Sequence, residues 1–113
     1  MAAELDRTLA ALADPTRRAI VEQLRQQSLR PSELADTMAI SRPAISRHLR
    51  VLREAGLIGQ DIGGDDARAR PIQLQPEPLA QLRDWADELQ GFWHEQLAAF
   101  KAHAERGRKP PRR

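Results

Sequence analysis

The sequence has no cysteine and no tyrosine among its 113 residues. Without cysteine the chain has no disulfide bonds, thiolate metal sites or cysteine nucleophiles. No apolar run approaches the ~18 residues that a membrane-spanning helix needs, and the first residues lack the basic and apolar segments of a secretory signal. We therefore expect a cytoplasmic protein with no membrane partner, and the length predicts one domain.

Residues arranged for catalysis are also lacking. No glycine-rich phosphate loop and no Ser–His–Asp spacing is present, and the three histidines, His48, His94 and His103, are scattered. The pair Gly63-Gly64 is better explained as a turn. We expect a protein that is not an enzyme and needs no cofactor.

The basic charge is concentrated in a short C-terminal segment. Residues 1–100 hold 12 basic and 15 acidic side chains, a net charge of −3, whereas residues 101–113 hold 6 basic and 1 acidic, a net charge of +5. Overall basicity therefore does not itself indicate nucleic-acid binding; a locally basic element would. We predict a folded domain over residues 1–106 and a disordered basic tail over residues 107–113.

Apolar spacing and turn residues predict a mainly α fold with one β-hairpin. Helices are expected at about residues 3–13, 15–27, 31–38, 42–55 and 77–104, and strands at about 57–62 and 68–74. Asp14 and Ser41 are the predicted N-caps of the second and fourth helices. Gly56 follows the fourth helix, where a left-handed conformation costs glycine little. Leu29 lies in a connector that is a candidate for a short strand.

The third and fourth predicted helices form a helix–turn–helix. On the fourth, Ile45, Leu49 and Leu52 share the face that must be buried. Four arginines, one histidine and no acid lie between residues 41 and 53. A short basic helix that begins with small residues suits the DNA major groove, where arginine can donate two hydrogen bonds to guanine. The candidate DNA contacts on this helix are Ser41, Arg42, Pro43, Ala44, Ser46, Arg47 and Arg50.

The alternative for this helix is an ordinary solvated arginine face. His48 lies at the edge of the apolar stripe, so a structural role suits it at least as well as a DNA contact. The hairpin is the expected place for a wing that reaches the minor groove or the backbone, and strand alternation puts Arg68 and Arg70 on one face. Asp61, Asp65 and Asp66 oppose this, since phosphate would repel them; the alternative is a hairpin that only covers the core.

All four aromatic residues lie on the last predicted helix. One helix of a small monomer rarely needs so much bulk, which favours an interface with a second copy over a purely internal core. With the apolar stripe of the first helix, the candidate dimerisation residues are Leu5, Leu9, Leu82, Trp85, Leu89, Phe92, Trp93 and Phe100.

Two segments together, LADPTRRAIVEQL (residues 12–24) and SELADTMAISRPAISRHLRVLREAGLI (residues 32–58), resemble the ArsR/SmtB family of bacterial winged-helix repressors. The likeness extends over about residues 5–100. It implies a winged helix-turn-helix that dimerises through its first and last helices. It also implies an autorepressor that binds an operator in double-stranded DNA and releases it when a ligand, often a metal ion, binds.

The metal ligands of that family are not matched here. Its Cys-x-Cys pair falls on Arg30 and Ser32, and its last-helix pattern, aligned on His94, falls on Phe92, Glu105 and Arg108. The chain thus resembles a metal-free branch with an aromatic-rich last helix. The alternatives are a metal-responsive repressor that uses His94 and His103 across a dimer, and a protein-interaction module that uses the arginine-rich helix.

Overall fold

The computed structural model describes residues 2–60 and 70–107. In chain order the elements are α1 (Ala2–Leu12), α2 (Pro15–Gln26), α3 (Pro31–Met38), α4 (Arg42–Glu54), β1 (Ile58–Gln60), β2 (Ile72–Leu74) and α5 (Glu77–Gly107). The chain forms two compact units, one ending at Leu82 and one beginning at Arg83 within α5. None of the helices in the described ranges combines the length and apolarity needed to cross a bilayer.

The ends of the helices follow local capping chemistry. The Asp14 carboxylate accepts hydrogen bonds from the N–H groups of Thr16 (2.7 Å) and Arg17 (3.1 Å), which starts α2. The Ser41 hydroxyl accepts from the N–H of Ala44 at 3.3 Å, which starts α4. Gly56 follows α4 with φ of 75°. Both predicted caps and the left-handed glycine are confirmed, and the five helices lie close to their predicted ranges.

The turn between α3 and α4 bends at an alanine. Ala39 adopts φ 54° and ψ 45°, the left-handed region that normally favours glycine. The N–H groups of Ala39 and Ile40 donate to the carbonyls of Asp36 (3.3 Å) and Ala35 (3.0 Å), so two carbonyls of the last turn of α3 are satisfied. This tight turn sets the direction in which α4 leaves α3.

The described residues contain part of the predicted hairpin. β1 and β2 pair antiparallel, with Ile58 opposite Leu74 and Gln60 opposite Ile72. Leu29 bridges to Ile72, which confirms a short strand in that connector. The predicted placement of Arg70 on a strand was wrong, because it lies at a bend before β2 and Pro71 has no N–H to donate to the ladder. Arg68 and the rest of the predicted turn lie in 61–69, outside the described residues.

The core of the first unit lies between α1–α4 and the hairpin. On α4 the predicted buried residues Ile45, Leu49 and Leu52 are confirmed. The other apolar side chains buried with them are Ala11, Ile20, Leu24, Leu29, Leu34, Ala35, Leu57, Ile58 and Ile72. On α1 the inward face differs from the leucine stripe, because Thr8 and Ala11 are buried while Leu9 is exposed. The Thr8 hydroxyl donates to the Glu4 carbonyl at 3.1 Å, so its burial leaves no hydroxyl proton unsatisfied.

Candidate nucleic-acid interface

The solvent-facing side of α4 carries the predicted contact residues. Ala44 is half-buried, and the other six candidate side chains on and before α4 are exposed: Ser41, Arg42, Pro43, Ser46, Arg47 and Arg50. The buried stripe of α4 occupies the other side of the helix. The helix therefore presents the residue types proposed for DNA contact on its outward side.

Among the described residues, the arginines of this face have no internal hydrogen-bond or ion-pair partners. Within residues 2–60 and 70–107, Arg42, Arg47 and Arg50 form no ion pair or side-chain hydrogen bond. Each guanidinium can therefore donate to an external acceptor without first breaking a bond in the protein. The N-terminus of α4 adds the positive end of the helix dipole, which favours phosphate.

Arg17 on α2 makes contacts that the sequence reasoning missed. Its Nε donates to the Ala11 carbonyl at 2.7 Å and its Nη2 to the Ala10 carbonyl at 3.2 Å. Its Nη1 lies 3.8 Å from Asp14 Oδ2 and 3.4 Å from Nδ1 of His48 on α4. One side chain thus connects three helices. A signal was available, since Arg17 precedes the buried Ile20 and Leu24 by three and seven residues and so shares their face.

Asp14 is electrostatically favoured in its charged form. The pKa of its carboxyl lies below the ordinary value of 3.8, chiefly because the Arg17 N–H donates to it. The hydrogen bond from Thr16 and the charge of Arg17 act in the same direction, while desolvation opposes them. The folded structure therefore favours the ionised form of Asp14.

Only one of the two arginines predicted for the wing, Arg70, lies among the described residues. Arg70 is half-buried, unlike the arginines of α4. Arg68 lies outside the described residues, as do Asp61, Asp65 and Asp66. The predicted placement of Arg68 and Arg70 on one face therefore stays a prediction.

The aromatic helix α5 exposes a row of large apolar side chains. No residue of α5 is buried, and the exposed fraction rises from 40% at Trp85 to 73% at Phe100. The exposed row also contains Leu89, Phe92, Trp93 and Leu97, and these six fall within an arc of about 140° at helical spacing. Phe92 and Trp93 contact edge to face, with ring centroids 6.3 Å apart. Of the other candidate dimerisation residues, which belong to the first unit, Leu5 and Leu82 are half-buried and Leu9 is exposed.

The two histidines considered for metal binding, His94 and His103, lie on opposite sides of α5. Nδ1 of His94 lies 2.7 Å from the Gln90 carbonyl of the preceding turn. Across residues 2–60 and 70–107, no three His, Asp or Glu side chains converge as a metal site would require. Arg108 lies outside those ranges, as do the remaining residues of the basic tail, whereas Gly107 is the last residue of α5.

Comparison with known proteins finds a matching family and a similar transcription regulator. Residues 14–59, from the cap of α2 into β1, match the family described as bacterial regulatory protein, arsR family. The chain is 44% identical over 95 residues to the HTH-type transcriptional regulator Rv2034 of Mycobacterium tuberculosis, covering 84% of this chain and 83% of that protein.

Solved structures extend the likeness to the fold. An ArsR-like transcriptional regulator from Rhodococcus sp. RHA1 superposes with a TM-score of 0.79 at 31% identity, covering 91% of this chain and 92% of that one. A Mycobacterium bovis NMR structure, described as a homodimeric winged helix-turn-helix DNA-binding domain, has a TM-score of 0.60 at 22% identity, covering 82% of this chain and 83% of that one. The predicted fold, a winged helix-turn-helix, is confirmed.

Proposed function

Because the chain belongs to the ArsR family of bacterial regulatory proteins, we propose that it is a sequence-specific DNA-binding transcription regulator. In this proposal it acts in the cytoplasm as a homodimer and represses its own operon at an inverted-repeat operator. The function is regulation of transcription, and no reaction is assigned to the chain.

The outward face of α4 is the observation that carries the proposal. Its arginines are exposed and free of internal ion pairs among the described residues, while its other side is anchored in the core. The major groove of B-DNA, about 12 Å wide, admits an α-helix. In the groove, Arg47 and Arg50 would reach base edges or phosphates, and the tip formed by Ser41, Pro43 and Ala44 is small enough for close approach.

The apolar row of α5 supports the homodimer. Contiguous exposed apolar surface of this kind usually marks an interface, and Trp and Phe are enriched in interface cores. We assign this row to the dimer contact, together with Leu5 and Leu9 of α1 and Leu82 of α5. A twofold dimer would present two copies of α4 to successive major grooves, about 34 Å apart, and so requires a palindromic site.

We also assign DNA contacts to the hairpin and the C-terminal segment. We assign Arg68 and Arg70 to backbone or minor-groove contact by the wing. The domain is assigned to residues 1–106, and the basic tail to residues 107–113, with its charges Arg108, Lys109, Arg112 and Arg113 meeting only phosphate.

A footprinting titration tests the proposed function. The purified chain should protect an inverted repeat in the DNA upstream of its own gene, with half-site centres about 10–10.5 base pairs, or a multiple of that, apart. A scrambled duplex of the same length and composition is the control. Equal affinity for both duplexes would contradict sequence-specific regulation.

A further inference from the structure

The contact between Arg17 and His48 fixes the protonation pattern of the imidazole. A guanidinium carries only N–H donors and no acceptor. His48 Nδ1, 3.4 Å from Arg17 Nη1, must therefore accept, which leaves the single ring proton on Nε2. His94 is the opposite case, because a carbonyl can only accept, so Nδ1 of His94 must carry the proton that it donates to Gln90.

This contact places a directional restraint on α4. The core residues Ile45, Leu49 and Leu52 hold the helix by apolar packing, which resists separation but depends little on orientation. The bond from Arg17 requires a defined position of one atom on α4. His48 directly follows Arg47, so the restraint acts beside the residue that we assign to base contact.

The other end of the restraint is firmly held. Arg17 is 17% exposed in its side chain, and its guanidinium also donates to the carbonyls of Ala10 and Ala11 at the end of α1. Movement of α4 relative to the α1–α2 junction would therefore break the contact with His48.

We propose that Arg17 is a positioning residue for DNA recognition, which sets the orientation of α4 through Nδ1 of His48. The inference rests on the proposed function, since it assigns α4 as the recognition helix. Arg17 itself need not touch DNA in this account. Its contribution is to hold α4 in the orientation that fits the groove.

Arg18 offers a matched control for Arg17. Its Nη1 donates to the Leu12 carbonyl at 2.7 Å, so it also satisfies the end of α1, but no contact joins it to α4. Replacing either arginine by glutamine removes the same charge, so the loss of long-range attraction to phosphate is matched. A difference between the two variants isolates the contact with α4.

The first test is spectroscopic and uses the unmodified chain. Nitrogen-15 spectra of the histidine rings at about pH 8, where an ordinary imidazole is neutral, should show His48 protonated on Nε2 and His94 protonated on Nδ1. Arg17→Gln should shift the His48 signals toward a mixture of the two forms, while Arg18→Gln leaves them unchanged. A His48 ring protonated on Nδ1 in the unmodified chain would overturn the proposal.

The second test measures affinity for the operator and for a scrambled duplex. Arg17→Gln should weaken operator binding about tenfold more than Arg18→Gln, with equal effects on the scrambled duplex. His48→Leu, which removes the acceptor, should match the loss of Arg17→Gln, and the double variant should lose no more than either one. His48→Asn keeps an acceptor near the Nδ1 position and should restore most of the affinity.

Several outcomes would overturn the proposal. Equal operator losses for Arg17→Gln and Arg18→Gln would reduce Arg17 to an ordinary helix-end contact. Additive losses in the double variant would show that the two residues act separately. If Arg17→Gln does not fold, as judged by circular dichroism, the comparison of His48→Leu with His48→Asn tests the same contact. If the unmodified chain binds no operator, the proposed function fails, while the histidine spectra still decide whether the contact exists.

Discussion

The Asp14 side chain takes part in two interactions that hold the start of α2. Its carboxylate caps α2 and also lies near the Arg17 guanidinium. The same negative charge therefore acts on the first turn of α2 and on the arginine that connects α1, α2 and α4. The pKa of this carboxyl is lowered in the folded protein, so folding favours the ionised form. The resulting stabilisation is fully present above the unfolded value of 3.8 and is lost as the pH falls through the lowered folded pKa.

Asp14→Asn tests this linkage, because asparagine is also a good N-cap but carries no charge. Between about pH 5 and pH 2 the urea midpoint of the unmodified protein should fall more steeply than that of the variant. Urea unfolding followed by circular dichroism at each pH measures the difference. Parallel curves would show that the charge of Asp14 contributes no stability.

Ala39 adopts a backbone conformation that alanine disfavours. It holds the left-handed conformation in the turn before α4, although a Cβ disfavours it. Since Ala39 is exposed, Ala39→Gly loses little buried surface and should raise the free energy of unfolding by about 0.5–1 kcal/mol. Ala19→Gly, at an exposed position inside α2, is the matched control and should lower it by a similar amount. Destabilisation by both substitutions would show that the turn is not strained at Ala39.

At the scale of elements, the boundaries of the helices could be predicted and several of their contacts could not. Asp14, Ser41 and Gly56 act on backbone groups within a few residues, so a short segment of sequence contains the whole interaction. The arginine face of α4 was predictable for the same reason, because helical periodicity alone separates it from the buried stripe.

The features that the sequence did not predict depend on tertiary packing. Nothing local decides that Thr8 faces the core while Leu9 faces solvent, because that choice depends on what α1 packs against. The bridge from Arg17 to His48 joins residues 31 positions apart. Arg70 was placed on the second strand because alternation does not reveal where pairing begins, although Pro71 gives a hint.

The exposed apolar row of α5 leads to a prediction about dimerisation. Trp93 is 61% exposed in the middle of the apolar row of α5. Trp93→Glu places a charge in the proposed interface, so the protein should shift from dimer to monomer at micromolar concentration and bind its operator more weakly, because the two half-sites are no longer linked.

Light scattering and operator titration on the same samples measure both effects. Ala98→Glu adds the same charge at an exposed position on the opposite side of α5 and should leave the dimer intact. A monomeric mass for the unmodified, folded protein would contradict the proposed dimer, as would equal effects of the two substitutions.

At the scale of the whole molecule, we expect a DNA-binding dimer whose affinity for its operator does not depend on a metal ion. The positions that hold thiolates in metal-sensing members are Arg30 and Ser32, and neither arginine nor a neutral serine hydroxyl binds zinc well. Nine positions separate His94 from His103, which puts them on opposite sides of α5. One equivalent of zinc should therefore leave operator affinity unchanged in a fluorescence anisotropy titration. A tenfold loss that a chelator reverses would contradict this prediction.

We expect α4 to read base sequence, and Arg47→Ala is the sharpest test of that role. Arg47 is exposed near the start of α4 and has no internal ion pair among the described residues. Arg25→Ala removes the same charge from an exposed position on α2 and is the matched control. The measurement is the affinity of both variants and the unmodified chain for the operator and a scrambled duplex at several salt concentrations. The account predicts that Arg47→Ala costs about 1–3 kcal/mol per half-site on the operator and no more than Arg25→Ala on the scrambled duplex. An equal loss on both duplexes, or no loss on either, would contradict base recognition by α4.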